Sequence, residues 1–276
     1  MSPYRTVFDN FAHIRRNGYY VDAAKEFLKY GGTSMNMVNF PDYFYTPDSH
    51  YEKLYRETID VAKTVRNTGV DTVITIGPYP LDYFYFQSAR KDPVDEMKRG
   101  IDMAASIITA GDADAMGEIG YPHFPVDEKV YSDSGVILEY ALDVCHDHDI
   151  PLILHTEDMD EEGYLRVESI IKMHYSIDRV IKHHANATDI YFNDSITRSF
   201  VASRSNIKTA VSSGRDFLLE TDYTDQKDKP GKVIPVYSVP KRAEMIKNLY
   251  ENYDEIFHRI FEEVPFRIYR KEFFDR

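Results

Sequence analysis

"AMGEIGY" (115–121), "SDSGVILEYALDVCHDHD" (132–149) and "PLILHTE" (151–157) follow one another in the middle of the chain, and their order decides the fold. The outer two are short apolar runs of strand length that end in polar side chains. The middle one opens on capping residues and carries Val136, Ile137, Tyr140, Ala141, Val144 and Cys145 on one stripe at helical spacing. Strand, amphipathic helix and strand in that order make a crossover unit, which sets two strands side by side and parallel.

The same alternation extends in both directions. "TVFDNFA" (6–12), "TSMNMVNF" (33–40) and "DTVITIG" (71–77) come before the unit, and "RVIKHHA" (179–185), "ITRSFVA" (196–202) and "DFLLETD" (216–222) come after it. Helical patterns lie between most of them; "VDAAKEFLKYGG" (21–32) ends in paired glycines, a normal helix stop. Eight such runs favour an α/β fold of the (β/α)8 TIM-barrel type over an open sheet. No glycine-rich phosphate loop follows the first run, which counts against a dinucleotide-binding sheet. A Pro/Gly-containing loop (229–240) then leads to a C-terminal helical tail (241–276), expected to pack on the barrel exterior. No linker or repeat of fixed period interrupts the pattern, so residues 1–276 read as a single barrel domain.

Composition narrows the function classes. Hydrophobic residues make up 43% of the 276, enough for a sizeable core. A net charge of −13 argues against a dedicated nucleic-acid binder, which needs a basic footprint. Small anionic substrates stay open, because a bound cation reverses the local field. The single cysteine, Cys145, leaves no internal disulfide and fits a reducing compartment. "MSPYRTVFDN" lacks a basic-then-apolar leader and no apolar run is long enough to cross a bilayer, which predicts a soluble, cytoplasmic chain with no membrane partner.

Barrel active sites gather at the carboxyl ends of the strands. There the sequence places His13 after the first run, Glu118 in the fourth, His155 in the fifth, His183 or His184 in the sixth and Asp222 in the eighth. Three imidazoles and two carboxylates converging on one mouth are costly unless paired, and a divalent cation satisfies all of them. The donor set suits Zn, Mn, Fe, Co or Ni, with Mg a harder alternative. Metal-assisted hydrolysis is the leading chemistry, with Asp222 as the proton acceptor and Glu118 positioning one or two ions. Two other readings use the same residues: a barrel that has lost catalysis and binds a ligand, and a metal-dependent sugar isomerase or lyase.

Further residues carry weaker signals. Arg15 and Arg16 could grip a phosphate or carboxylate, or be solvated surface arginines. His123, five residues past Glu118, could line the substrate cleft or support a ligand. "CHDH" (145–148) resembles a metal motif on paper, but it closes the helix before the fifth run and so falls at the far end of the barrel. "FPDYFYTP" (40–47) and "PYPLDYFYFQ" (78–87) would overhang the mouth, either as a stacking wall for a planar group or as loops packed on each other.

"FDNFAHI", "GEIGYPHFPV", "LILHTE", "VIKHH", "FLLETDYTD" and "KPGKVIPVYSVPKR", in this order, resemble the TatD-related metal-dependent hydrolases, a branch of the amidohydrolase-like barrels. The resemblance is closest to archaeal-type members. It implies a (β/α)8 barrel with two divalent metals bridged by Glu118. One metal takes both histidines of an "HxH" on the first strand and Asp222; the other takes His155 and the strand-six histidine. The family pattern puts His183 in that ligand position and His184 where an aromatic residue usually stands. His13 matches the second histidine of "HxH", and Phe11 stands where the first should be. On a regular strand Asn10 and Ala12 face away from Phe11, and Asp9 lies about 6–7 Å further down. The family includes nucleases without fixing the substrate; a net charge of −13 and no Lys/Arg cluster in the sequence disfavour a long polynucleotide, so the expected substrate is a small molecule or a short nucleic-acid end, cleaved at a phosphoester, amide or ester bond.

Overall fold

The structure, a computed structural model, describes residues 6–229 and 234–275. All eight expected runs form strands: β1 (Phe8–Ala12), β2 (Ser34–Val38), β3 (Asp71–Ile76), β4 (Ala115–Gly120), β5 (Leu152–His155), β6 (Val180–Lys182), β7 (Thr197–Val201) and β8 (Phe217–Glu220). They are parallel and ordered β1 to β8 in one sheet. The sheet closes at the mouth, where the His13 N–H donates to the Tyr223 carbonyl (2.7 Å) and the Asp222 N–H to that of Phe11 (3.0 Å). This is a (β/α)8 TIM barrel.

Crossover helices pack outside it: α1 (Val21–Lys29), α2 (His50–Arg66), α3 (Asp82–Ser88), α4 (Pro93–Thr109), α5 (Glu128–His148), α6 (Glu161–His174) and α7 (Arg204–Ser213). Only a 3₁₀ turn, Ala187–Tyr191, joins β6 to β7. The helix expected over 132–149 begins a turn earlier, because the Asp127 carboxylate caps it by accepting the Val130 N–H at 2.9 Å. Its buried stripe is Ile137, Leu138, Ala141, Leu142 and Cys145. Val136 is 44% exposed. The helix is therefore rotated from the expected face, and the rotation sends Leu138 and Leu142 inward. Among the described residues no helix is long and apolar enough to cross a membrane.

Residues 230–233 of the Pro/Gly loop lie outside the described residues. Beyond them α8 (Ser238–Leu249), α9 (Tyr253–Phe257), a π-helical stretch (His258–Glu263) and α10 (Val264–Tyr269) form the tail. It packs outside the barrel, as expected, and it also closes the amino-terminal end. The Tyr269 hydroxyl donates to Asn10 Oδ1 (2.7 Å) and accepts from Asn36 Nδ2 (3.3 Å), at the strands' buried inner surface. Phe274 sits edge-on to Phe8, 4.8 Å between centroids. Lys271 pairs with Asp114, Arg270 with Asp149, and Arg179 donates to the Ile268 carbonyl. These three partners precede β4, β5 and β6, so the tail ties down several strand starts at once. Tyr269→Phe should leave two buried asparagines short of partners and lower unfolding free energy by about 1–3 kcal/mol. Urea denaturation should show this with metal binding intact, since the change lies at the opposite end from the mouth.

Candidate metal centre

The strand ends that meet at the mouth are shaped by local sequence. Between Asp9 and Ala12 the register with β2 shifts, three steps of β1 matching two of β2. This bulge breaks the alternation expected of a regular strand. Asn10 reaches Tyr269 within the barrel, and Asp9 turns to β8, where its carboxylate accepts from the Thr221 N–H (2.9 Å) and hydroxyl (2.7 Å). Asp9 thus fixes the residue before Asp222. At β4, a side chain on Gly120 would meet the His155 carbonyl oxygen at 2.1 Å, so glycine is required for β4 and β5 to approach. Asp225 is also structural: its carboxylate accepts the N–H groups of Arg15, Tyr19 and Tyr20 at 2.7–3.0 Å and holds the loop after β1.

Three predicted ligands converge. Glu118 Oε2 lies 2.8 Å from His155 Nδ1 and 2.9 Å from His183 Nε2, and the two nitrogens are 2.8 Å apart. Burial works against an ionised Glu118, but His183 and His155 hold it well below the usual carboxylate range. Burial pulls His155 down to about 4. It also opposes a charged His183, yet Glu118 and Glu220 prevail and raise that imidazole to about 9. Three donor atoms on one point repel one another unless a proton or a cation sits among them. Ligands at right angles around one ion, each about 2.0–2.1 Å away, stand about 2.9 Å apart, so the residues fit a divalent ion. Among the described residues this is the group of three whose ligand atoms lie within 4.8 Å of one another.

The β1–β8 side is looser. The His13 Nδ1 bonds to the Val38 carbonyl (3.0 Å), which turns Nε2 to the mouth, 3.7 Å from Asp222 Oδ1. Burial pushes the Asp222 carboxyl up to about 7; His183 opposes the rise, and Glu220 and Glu118 add to it. Phe11 is fully buried, stacked on His183 (4.2 Å between centroids, 12°) and edge-on to His13 (5.1 Å). His183, not His184, faces Glu118; the His184 side chain is 56% exposed and points to Asp222 at 3.9 Å. Glu220 was not singled out from the sequence. It is fully buried, accepts the His184 N–H at 2.8 Å and backs His183 Nδ1 at 3.5 Å. Its signal was its place two residues before Asp222 in "LLETD".

His13, Glu118, His155, His183, His184 and Asp222 line a cavity of about 710 Å³ together with Phe40, Tyr79 and His123, while Phe11 and Glu220 lie behind its wall. His123 Nδ1 lies 3.3 Å from His155 Nε2 and 3.4 Å from the Tyr79 hydroxyl, so it supports the ring of a candidate ligand from within the cleft. Arg15 and Arg16 line a separate groove. Arg15 is committed to Asp42 (2.7 Å) and stacks on Phe40 (4.0 Å); Arg16 faces Glu57 and Asp60. His148 lines a hollow at the amino-terminal end beside Tyr269. The aromatic loops pack on each other, Tyr43 stacking on Tyr85 at 4.9 Å, while Phe40 and Tyr79 reach the cavity.

A barrel with histidine and carboxylate donors gathered at its carboxyl end is an architecture that metal-dependent hydrolases share. Residues 8–270 match the TatD related DNase family, and the chain belongs to that family. It is 27% identical over 242 residues to the uncharacterized protein MJ1127 of Methanocaldococcus jannaschii, covering 85% of each chain. Among solved structures it superposes on a TatD-like protein of Archaeoglobus fulgidus (TM-score 0.58, 16% identity, 91% of this chain and 99% of that one). It superposes likewise on the phosphotriesterase homology protein of Escherichia coli (TM-score 0.60, 14% identity, 95% and 98%).

The charge state of the centre makes a pH prediction. With His183 raised to about 9, the metal-free centre holds a proton at pH 7. A cation taking the Nε2 lone pair must expel it, so binding should release about one proton and strengthen up to about tenfold per pH unit until that value is passed. Calorimetric titration with Zn²⁺ in buffers of different ionisation enthalpy reads the release. Proton-neutral binding would place the ion elsewhere. Separately, His155→Ala or Glu118→Ala should abolish most metal retained after dialysis, whereas a His146→Ala/His148→Ala double variant should keep it.

Proposed function

We propose that this chain is a metal-dependent phosphoesterase acting on a small molecule or a short nucleic-acid end. The observation that carries the reading is the convergence of Glu118, His155 and His183 in the wall of a cavity that also presents the Asp222 carboxylate. Glu118, His155 and His183 would hold one ion, drawn from Zn, Mn, Fe, Co or Ni. His13 and Asp222 belong to the side of a second. A cation bound there supplies charge neutralisation at a phosphoryl oxygen and makes a nearby water more acidic. Asp222 takes the proton from the attacking water and passes it to the leaving oxygen as the P–O bond breaks. Phe40 and Tyr79 give a planar leaving group an apolar wall.

Two further observations support the bond type and the substrate size. The family is described by its DNases, and the related E. coli barrel is complexed with phosphate in its active site. The cavity lining includes Glu157 and Asp158 and, among the described residues, no lysine or arginine. A long polyanion would meet that lining and a net charge of −13 unfavourably.

Protein stripped with a chelator should be inactive, and Mn²⁺, Co²⁺ or Zn²⁺ should restore hydrolysis of p-nitrophenyl phosphate, bis(p-nitrophenyl) phosphate or a short 5′-labelled oligonucleotide. Asp222→Asn should lower kcat about 10²–10⁴-fold while leaving metal on the Glu118 side. Metal content without turnover on any phosphoester, amide or ester would instead favour a ligand-binding barrel.

A further inference from the structure

We infer that the hollow between α7 and α8, on the outer wall beside the mouth, binds the phosphodiester backbone of a short nucleic-acid strand whose end lies in the cavity. The inference deepens the phosphoesterase reading above and rests on it for the choice of a strand. Arg204, Lys208, Lys241 and Arg242 line this hollow of about 500 Å³. They come from two helices far apart in the chain, so no single run of sequence announces the cluster. Arg204 opens α7, just after β7, and Lys241 and Arg242 are the fourth and fifth residues of α8, which follows β8. Helices of such a barrel run back from the carboxyl ends of the strands they follow, so these three cations stand at the mouth end. Arg242 Nε donates to the Ala202 carbonyl at 3.1 Å, and the Ala202 N–H donates to the Glu220 carbonyl at 2.8 Å. The hollow is thereby joined to the strand end that backs His183.

Folding gives these cations no reason to gather. Each of α1 to α6 carries an acidic residue in its first turn, where the helix dipole favours negative charge; α7 and α8 carry none. Arg204 and Lys208 are four residues apart on one helix face, a like-charge spacing that weakens a helix. Burial, with the Arg204 charge added to it, lowers the Arg242 guanidinium from its ordinary value. Among the described residues none of the four is in an ion pair. The carboxylate that shares the hollow, Glu244, accepts from Asn248 Nδ2 at 3.2 Å. Lys241 is held by aromatic rings instead, its Nζ 4.1 Å from the Tyr237 centroid and 4.9 Å from that of Tyr30. In a chain of net charge −13, four cations left uncompensated beside one another repel themselves and attract an anion. Cations spread over two helices suit successive phosphates of a strand, and their place beside the mouth suits a strand that continues from the cavity.

The test is fluorescence anisotropy of a short, 5′-labelled phosphorothioate oligonucleotide, which resists hydrolysis, with metal-loaded wild type and an Arg204→Gln/Lys208→Gln variant. Both side chains are exposed, so the variant keeps the fold. It should bind the strand about tenfold more weakly at low salt, and the slope of log K against log salt should be shallower by about 1.4, from two lost phosphate contacts. With a cleavable oligonucleotide KM should rise and kcat hold, and kcat/KM on bis(p-nitrophenyl) phosphate, which occupies the cavity alone, should not change. Arg204→Lys/Lys208→Arg keeps both charges and should bind as wild type does. Equal strand binding by wild type and the glutamine variant, or none by wild type, would overturn the inference. So would loss of binding to phosphatidylglycerol vesicles with strand binding unchanged, which would put a membrane surface against the hollow. A wild type that holds the strand through these cations yet hydrolyses no phosphoester would overturn the phosphoesterase reading and leave the hollow as a strand-binding site.

Discussion

The buried carboxylate of Glu118, gripped by two imidazoles at 2.8 and 2.9 Å, is the constraint around which the mouth of this barrel is arranged. A lone carboxylate at that depth would cost several kcal/mol or give up its charge. Its partners come from β5 and β6, so those strand ends must converge on β4. The backbone makes room: only a glycine at 120 lets β4 come within reach of the His155 carbonyl. Glu220, behind His183, adds a second buried negative charge on the same imidazole. The centre is therefore rich in carboxylates, balanced in the metal-free state by the protonated His183 and by the buried Lys182, which donates to the His183 and Thr156 carbonyls. An ion of charge +2 is the species such a set of donors selects.

The other half of the mouth obeys a different constraint. β1 and β8 are locked by Asp9 through Thr221 and by two backbone bonds, which fixes Asp222 without spending its own carboxylate on a structural bond. Phe11 supplies packing where a ligand is usual. Stacked on His183, it orients that ring and shields one face from water. The mouth is consequently asymmetric. Three donors are preorganised on the β4–β6 side, and on the β1–β8 side an unengaged carboxylate lies between two imidazoles. The first arrangement brings three donors to one point; the second leaves the Asp222 oxygens without a hydrogen bond among the described residues.

The sequence made the barrel legible because alternation of apolar runs and amphipathic helices is a local signal, repeated eight times. His13, Glu118, His155, His183 and Asp222 stood out because polar residues at the ends of apolar runs are conspicuous. What escaped was whatever depends on partners distant in sequence. Asp9 and Asn10 looked like ordinary alternating strand residues, and the bulge that separates their roles comes from pairing with β2 and β8. Glu220 was hidden beside Asp222, since nothing local distinguishes a buried supporting carboxylate from a strand-end acid. His184 read as the neighbour of a ligand because period-two reasoning assumes extended backbone, and a positive φ breaks that assumption and brings its ring to the cavity as well. Arg15 and Arg16 looked available for an anion, and only the fold shows Asp42, Glu57 and Asp60 meeting them. The face of α5 was misjudged for a similar reason: Val136 and Leu138 are equally apolar, and the barrel wall selects between them.

The two ends of the barrel divide the work. At the amino-terminal end the tail brings Tyr269 to Asn10 and Asn36 and ties Arg179, Asp114 and Asp149 to its last turns, so the tail covers that end. The cavity with the candidate ligands lies at the carboxyl-terminal mouth. There the lining carries Glu157 and Asp158 beyond the candidate ligands and, among the described residues, no fixed cation. On the reading proposed above, bound ions would supply most of the positive field that an anionic substrate meets in this cavity. Bound ions rather than cationic side chains in the cavity lining then draw the phosphoester in, provided the ester is small enough to lie within their reach.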